Sequence, residues 1–190
     1  IVPYLQIKDL TFSLQYGMIY YNMLLFPPCA GSSRKSRKDI IMEIERNFFH
    51  DPAENYESFP CHEIEQAYLC TEPVIRVRKE DDTCYLTYKS KGLLAREEYN
   101  LPLTKEAYTH LLTKADGNIL TKKRYLIPVP GREDLTVEFD VFEGKFAGLM
   151  LAEIEFTCEE DAREFPPLSW FDRDVTWSGE YQNSRLSKMP

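Results

Sequence analysis

Histidine is scarce in this 190-residue chain: His50, His62 and His110 are the only three. With no H-E-x-x-H and no paired Cys/His spacing, there is no basis for a zinc site; Cys61 beside His62 supplies too little ligand geometry to change that. The five cysteines (Cys29, Cys61, Cys70, Cys84, Cys158) are odd in number and never spaced C-x-x-C. They make no disulfide framework, and a reduced, cytoplasmic protein is expected. P-loop, G-x-S-x-G and Rossmann glycine patterns are all missing. No apolar run approaches the ~20 residues of a spanning helix, since Asn22 interrupts the stretch from Met18 to Phe26, so no membrane partner is expected. A secretory signal is not expected either, because Lys8 is followed at once by Asp9. Basic charge is also in deficit, 23 Lys and Arg against 31 Asp and Glu for a net −8, which argues against a general nucleic-acid binder while leaving room for a local basic pocket.

What is present is a globular composition, 43% hydrophobic and 28% charged, in a chain long enough to bury its own core. Residues 1–40 differ from the rest, running through Pro27-Pro28 and Gly31-Ser-Ser33 into the basic Arg34-Lys-Ser-Arg-Lys38. They read as a leader, tag-like or upstream extension, with Met42 as the expected natural start and one domain over 41–190. From Ile40 onward period-2 alternation dominates, the mark of strands. Strands are predicted at 41–48, 63–69, 74–79, 84–91, 96–101, 120–127, 135–142 and 149–156, roughly the number that closes a small barrel. Helices are predicted at 104–115, stopped near Gly117, and from the capping-box spacing Thr157-Cys-Glu-Glu160 to about Phe165, before Pro166-Pro167.

Charge recurs on these strands as charge-x-charge. Acidic pairs are Glu43/Glu45, Glu138/Asp140 and Glu153/Glu155; basic pairs are Arg76/Arg78, Lys89/Lys91 and Lys122/Arg124. Residues i and i+2 of a strand share a face, so each pair points one way and Ile44, Val77, Phe139 and Ile154 point the other. Pattern alone favours the common arrangement, with the apolar face in a core and the charges in water. The alternative puts the charges inside a barrel and covers the apolar face with helices. Enclosed charges are costly unless each meets an opposite charge, a metal or a ligand, and segregated acidic and basic rows suit a metal-bound polyanion.

The segment Met42-Glu-Ile-Glu-Arg-Asn-Phe-Phe49 resembles the E-x-E-x-K opening of the CYTH superfamily, the triphosphate tunnel metalloenzymes. The likeness continues through Val74–Arg78, Tyr85–Lys89, Arg96–Tyr99, Lys122–Tyr125, Val137–Phe142, Leu149–Phe156, Trp170-Phe171, Asp174–Thr176 and Tyr181–Asn183, in the right order. It implies a mainly β fold: a closed eight-stranded antiparallel tunnel barrel with helices packed outside. It implies hydrolysis of a small-molecule triphosphate with Mg²⁺ or Mn²⁺. Glu43, Glu45, Glu153 and Glu155 match the metal-binding carboxylates, with Glu138 and Asp140 as further acidic lumen residues. Arg76, Arg78, Lys89, Lys122 and Arg124 match the triphosphate-binding residues, joined by Arg96 and, at a less constrained position, Lys91. Glu43, Glu45, Lys89 and Arg124 are the catalytic expectations among these. Related short members are often dimers, so a homodimer is a further expectation.

Two departures stand out. Asn47 occupies the signature lysine's place, supplying an amide where the family has a charge, and Glu180 precedes Tyr181 where relatives often carry a basic residue. Three readings stay open: a tripolyphosphatase; a thiamine triphosphatase or class IV adenylyl cyclase-like enzyme; and a catalytically weak polyphosphate-binding module. Trp170 and Trp177 are expected as anchors that close the tunnel or pack the first forty residues.

Overall fold

The computed structural model of the chain describes residues 41–50 and 55–190, so the expectation for residues 1–40 lies outside the described residues. Among the described residues nine strands form one sheet: β1 (Ile41–His50), β2 (Cys61–Thr71), β3 (Val74–Glu80), β4 (Thr83–Lys89), β5 (Ala95–Leu103), β6 (Leu120–Val129), β7 (Arg132–Phe142), β8 (Met150–Glu155) and β9 (Phe171–Asp174). The order is β5-β4-β3-β2-β6-β7-β8-β1-β9, and β5 also pairs with β1. That pairing closes the first eight strands into an antiparallel barrel and leaves β9 as an extra strand on β1. Closure removes the free edges that an open sheet would present.

β1 completes the barrel. Its first half pairs with β5 (Glu43 opposite Arg96) and its second half with β8 (Glu45 opposite Glu155, Asn47 opposite Glu153). The end of β1 takes up β9, with Phe48 opposite Asp174. Arg46 secures this junction: its guanidinium bonds Asp174 and donates to the carbonyls of Ala162 and Phe165, the latter at 2.7 Å. β9 was not anticipated from sequence.

The apolar face lies outside the barrel, under cover. Ile44, Phe48, Val137, Phe139, Ala152 and Ile154 pack against Ala162 and Phe165 of the segment around α2 (Glu159–Glu164) and against Trp170 and Phe171. On the far wall, α1 (Lys105–Leu112) lays Tyr108, Leu111 and Leu112 over Ala67, Val77 and Cys84. Full burial of each large apolar side chain contributes roughly 1.5–3 kcal/mol, so the covering helices have ample reason to stay docked. The charges therefore face inward, the opposite of what the alternation alone favours.

Both helices begin near the predicted places, with one correction. Thr104 caps α1, its hydroxyl accepting from the Ala107 amide at 3.2 Å. For α2 the N-cap is Cys158, one residue later than the capping-box spacing suggested, and it makes no side-chain cap bond. A third helix, α3 (Asn183–Leu186), closes the chain. Gly117 lets it dock: its φ is +111°, and a Cβ there would lie 2.2 Å from the Ser187 carbonyl oxygen. The next residue then hydrogen-bonds that oxygen, Asn118 N–H to Ser187 O at 2.7 Å. Neither tryptophan closes the barrel. Trp170 packs edge-on to Phe139 and Phe171 in the outer core, while Trp177 is exposed beside Arg163. Among the described residues no helix is long and apolar enough to cross a membrane.

Candidate functional site

The barrel encloses a cavity of about 350 Å³. Its wall is built by the period-2 faces the sequence marks out: Arg76, Arg78 and Glu80 from β3; Tyr85 and Lys89 from β4; Arg96, Glu98 and Asn100 from β5; Arg124 from β6; Glu138 from β7; Glu153 and Glu155 from β8; and Glu43, Glu45 and Asn47 from β1. Gln182, Asn183 and Ser184 of the α3 segment line one end. Of the thirteen expected site residues, the structure brings all but three onto this wall.

The exceptions have physical causes. Lys122 and Asp140 are fully buried as an ion pair behind the wall. Both oxygens of Asp140 are engaged, Oδ1 by Arg124 Nε at 2.7 Å and Oδ2 by Lys122 and by Arg124 Nη2 at 2.7 Å. This pair fixes the Arg124 guanidinium, and both Asp140 oxygens are already engaged by buried cations. Lys91 is a correction: β4 ends at Lys89, and the Lys91 side chain is 82% exposed and paired with Glu72 at the surface. The strand has already ended before Gly92, whose φ of +157° and close approach to the Ala95 carbonyl oxygen, 2.1 Å from where a Cβ would stand, belong to the connection into β5.

Across the lumen, acids and bases interlock. Arg96 spans Glu43 (Nε to Oε2, 2.8 Å) and Glu45 (Nη2 to Oε1, 2.7 Å). Lys89 bonds Glu43 and reaches Glu98 Oε2 at 2.7 Å. Arg124 adds Glu138 and Glu153 to its hold on Asp140. Arg76 differs. It has no carboxylate partner among the described residues; its Nη2 donates to Thr87 Oγ1 at 3.1 Å, and its buried Nε has no acceptor. Gln66 Oε1 accepts from Arg78 Nε at 2.9 Å, leaving the Gln66 Nε2 buried without a partner. A buried donor without an acceptor costs about 1–3 kcal/mol, so Arg76, which lies on the cavity wall, favours an incoming oxyanion.

The carboxylates divide by surroundings. Burial would raise Glu43, but Lys89 and Arg96 overcome it and hold it well below the ordinary range. Burial raises Glu45 to about 7, with the charge of Glu43 adding to it. Burial raises Glu155 to about 8, reinforced by Glu138, Glu43 and Glu45. Asp140 is held at about 2, Arg124 and Lys122 outweighing its burial. Crowded carboxylates whose like charges hinder ionisation, offering hard oxygens, are chemically suited to a divalent cation. Among the described residues, however, no three acidic, histidine or cysteine side chains converge as a ready-made metal cluster; Glu43, Glu45 and Glu153 are turned toward their arginine and lysine partners.

Tyr68, Glu80, Tyr85, Asn100 and the α3 residues, all on the cavity wall, have no site role in the expectations from sequence, although Tyr85, Gln182 and Asn183 fall within the segments that carry the resemblance. Glu80 was legible as the i+2 neighbour of Arg78, and Tyr85 as sharing the face of Lys89. Tyr68 and the α3 residues carried no charge signal.

No protein-family model matches the chain. Among curated proteins, it is 33% identical over 155 residues to the inorganic triphosphatase of Nitrosomonas europaea, spanning 77% of this chain and 97% of that protein. It is 37% identical over 119 residues to the inorganic triphosphatase of Acetivibrio thermocellus, spanning 61% and 72%. A solved structure of an inorganic triphosphatase superposes with a TM-score of 0.57 at 29% identity, covering 78% of this chain and 95% of the other.

Proposed function

We propose, from the premise that this chain belongs to the inorganic triphosphatase family of the CYTH superfamily, that its lumen binds linear triphosphate with a divalent cation and hydrolyses it to pyrophosphate and phosphate. The observation that carries this reading is Arg76. A buried guanidinium without a carboxylate partner, in a lumen where Lys89, Arg96 and Arg124 are each closely paired with acids, is suited to a phosphate oxygen. Arg78 and Arg124, fixed in place by Gln66 and Asp140, would bind further oxygens and offset charge on the leaving pyrophosphate without reorganising.

Glu43, Glu45, Glu153 and Glu155 would hold Mg²⁺ or Mn²⁺, the hard ions that carboxylate oxygens suit. Such an ion, when bound, polarises phosphoryl oxygen and water. Because Glu45 and Glu155 change protonation at about 7 and about 8, cation affinity should rise across that range. The cytoplasm is the compartment that fits the free thiols of Cys61, Cys70, Cys84 and Cys158.

The test is phosphate release from tripolyphosphate, ATP and thiamine triphosphate by the purified chain, with Mg²⁺ or Mn²⁺ against EDTA. Metal-dependent turnover favouring tripolyphosphate supports the proposal. Turnover confined to either organic triphosphate would move the chain to the second reading, and tripolyphosphate binding without turnover to the third.

A further inference from the structure

Along the lumenal face of β3 the cations stop at Arg78. The next residue on that face is Glu80, at the strand's end beside the β3–β4 hairpin. Its carboxylate is held in place. The Tyr85 hydroxyl, on the facing strand, donates to Glu80 Oε2 at 2.7 Å and accepts from Arg78 Nη1 at 3.2 Å. Arg78 itself stands 4.0 Å from Glu80 Oε2 and is anchored separately on Gln66, so it does not swing over to neutralise the acid in a close pair. Burial pushes the Tyr85 phenol upward, which keeps it a proton donor to the carboxylate. The Glu80 side chain retains 27% exposure, placing it where the lumen opens toward the hairpin. Gln182, Asn183 and Ser184 occupy the other end.

A linear polyphosphate carries negative charge on every phosphate unit. A chain seated on Arg76 and Arg78 finds no third cation at the next place on β3; it meets a carboxylate. Like charges brought together in a partly desolvated passage cost affinity and so discriminate between partners. Pinning by Tyr85 matters because a free glutamate would turn aside into water.

We infer that Glu80, held by Tyr85, is a length stop for the tunnel, admitting triphosphate and disfavouring tetraphosphate and longer chains. Tyr85 is a positioning residue acting through Glu80. The inference rests on the reading of the lumen as a triphosphate site, and it adds the residues that set substrate length.

The experiment is calorimetric titration of triphosphate and tetraphosphate, each with Mg²⁺, into the parent, Glu80→Gln, Glu80→Lys and Tyr85→Phe, alongside phosphate release by the same proteins. The preference for triphosphate over tetraphosphate should fall about tenfold or more in Glu80→Lys, and roughly threefold in Glu80→Gln and Tyr85→Phe, as like-charge repulsion is reversed or relaxed. Glu80→Gln is nearly isosteric and keeps the test decisive should charge reversal upset folding. A preference unchanged within about twofold in Glu80→Gln overturns the length stop, as does a parent that binds both chains equally. Binding requires no turnover, so a parent that binds triphosphate without hydrolysing it overturns the proposed reaction while the ratio still decides the length stop.

Discussion

Asp140→Asn removes one negative charge from the deepest ion cluster at almost constant volume. In the parent, Asp140 accepts from Lys122 and twice from Arg124, all three groups being buried. An amide keeps one acceptor and turns an NH₂ toward a donor, so a buried cation loses its partner. Breaking a buried pair in this way costs about 3–5 kcal/mol. At roughly 2–4 °C per kcal/mol for a domain of this size, the melting midpoint near pH 6 should fall by about 6–20 °C. The penalty should also depend on pH in a fixed direction. Burial pulls Lys122 down to about 8 from its ordinary 10.5, with Asp140 opposing the fall. Without Asp140 the folded-state value drops further. A lysine whose folded pKa lies below its unfolded one binds fewer protons when folded, so stability rises with pH through the window between the two values. That window opens at a lower pH in the variant than in the parent, so the stability gap should narrow as pH rises from 6 to about 8. Urea denaturation of both proteins at pH 6 and pH 8.5 reads this directly. A gap under about 1 kcal/mol at pH 6, or one that widens with pH, would refute the account of the cluster.

Asn47→Lys restores the missing charge on the lumen wall opposite Glu153, and should raise turnover of tripolyphosphate by about tenfold or more, as expected for a regained charge-assisted contact; steady-state phosphate release checks it. The kcat/KM of the parent should climb between pH 7 and 9 as Glu45 and Glu155, raised to about 7 and about 8, lose their protons; a profile falling over that range would count against their role as cation ligands. Lys91→Ala should leave turnover within about twofold, because the lysine is exposed and its surface pair with Glu72 is worth little.

The strand faces were legible because period-2 alternation is local: Val74–Glu80 and Arg132–Phe142 show their charged and apolar sides without reference to the rest of the chain. Which side lies inside was not legible from that pattern. A barrel with charge within and one with charge without give the same alternation, and only the resemblance running from Met42 to Asn183 chose between them. Elements created by distant partners were missed. β9 is four residues long and exists because β1 offers it an edge, and α3 is held by Gly117 and Asn118 from far upstream. Lys91 departs from expectation for the converse reason, since its alternation runs on past Lys89, where the strand ends. Glu80 was visible on the face of Arg76 and Arg78, but its hold by Tyr85 depends on the register of β4 against β3.

The central claim is that the acidic and basic walls of the lumen act together on one triphosphate. Its most direct test is phosphate release from tripolyphosphate with Mg²⁺ or Mn²⁺ by the parent, Arg76→Met and Glu155→Gln, with melting midpoints taken in parallel. The account expects turnover by the parent and a loss of about 10²–10³ in each variant with the fold retained, as for removal of one positioned charge from a catalytic site. Either variant working at the parent's rate would contradict it.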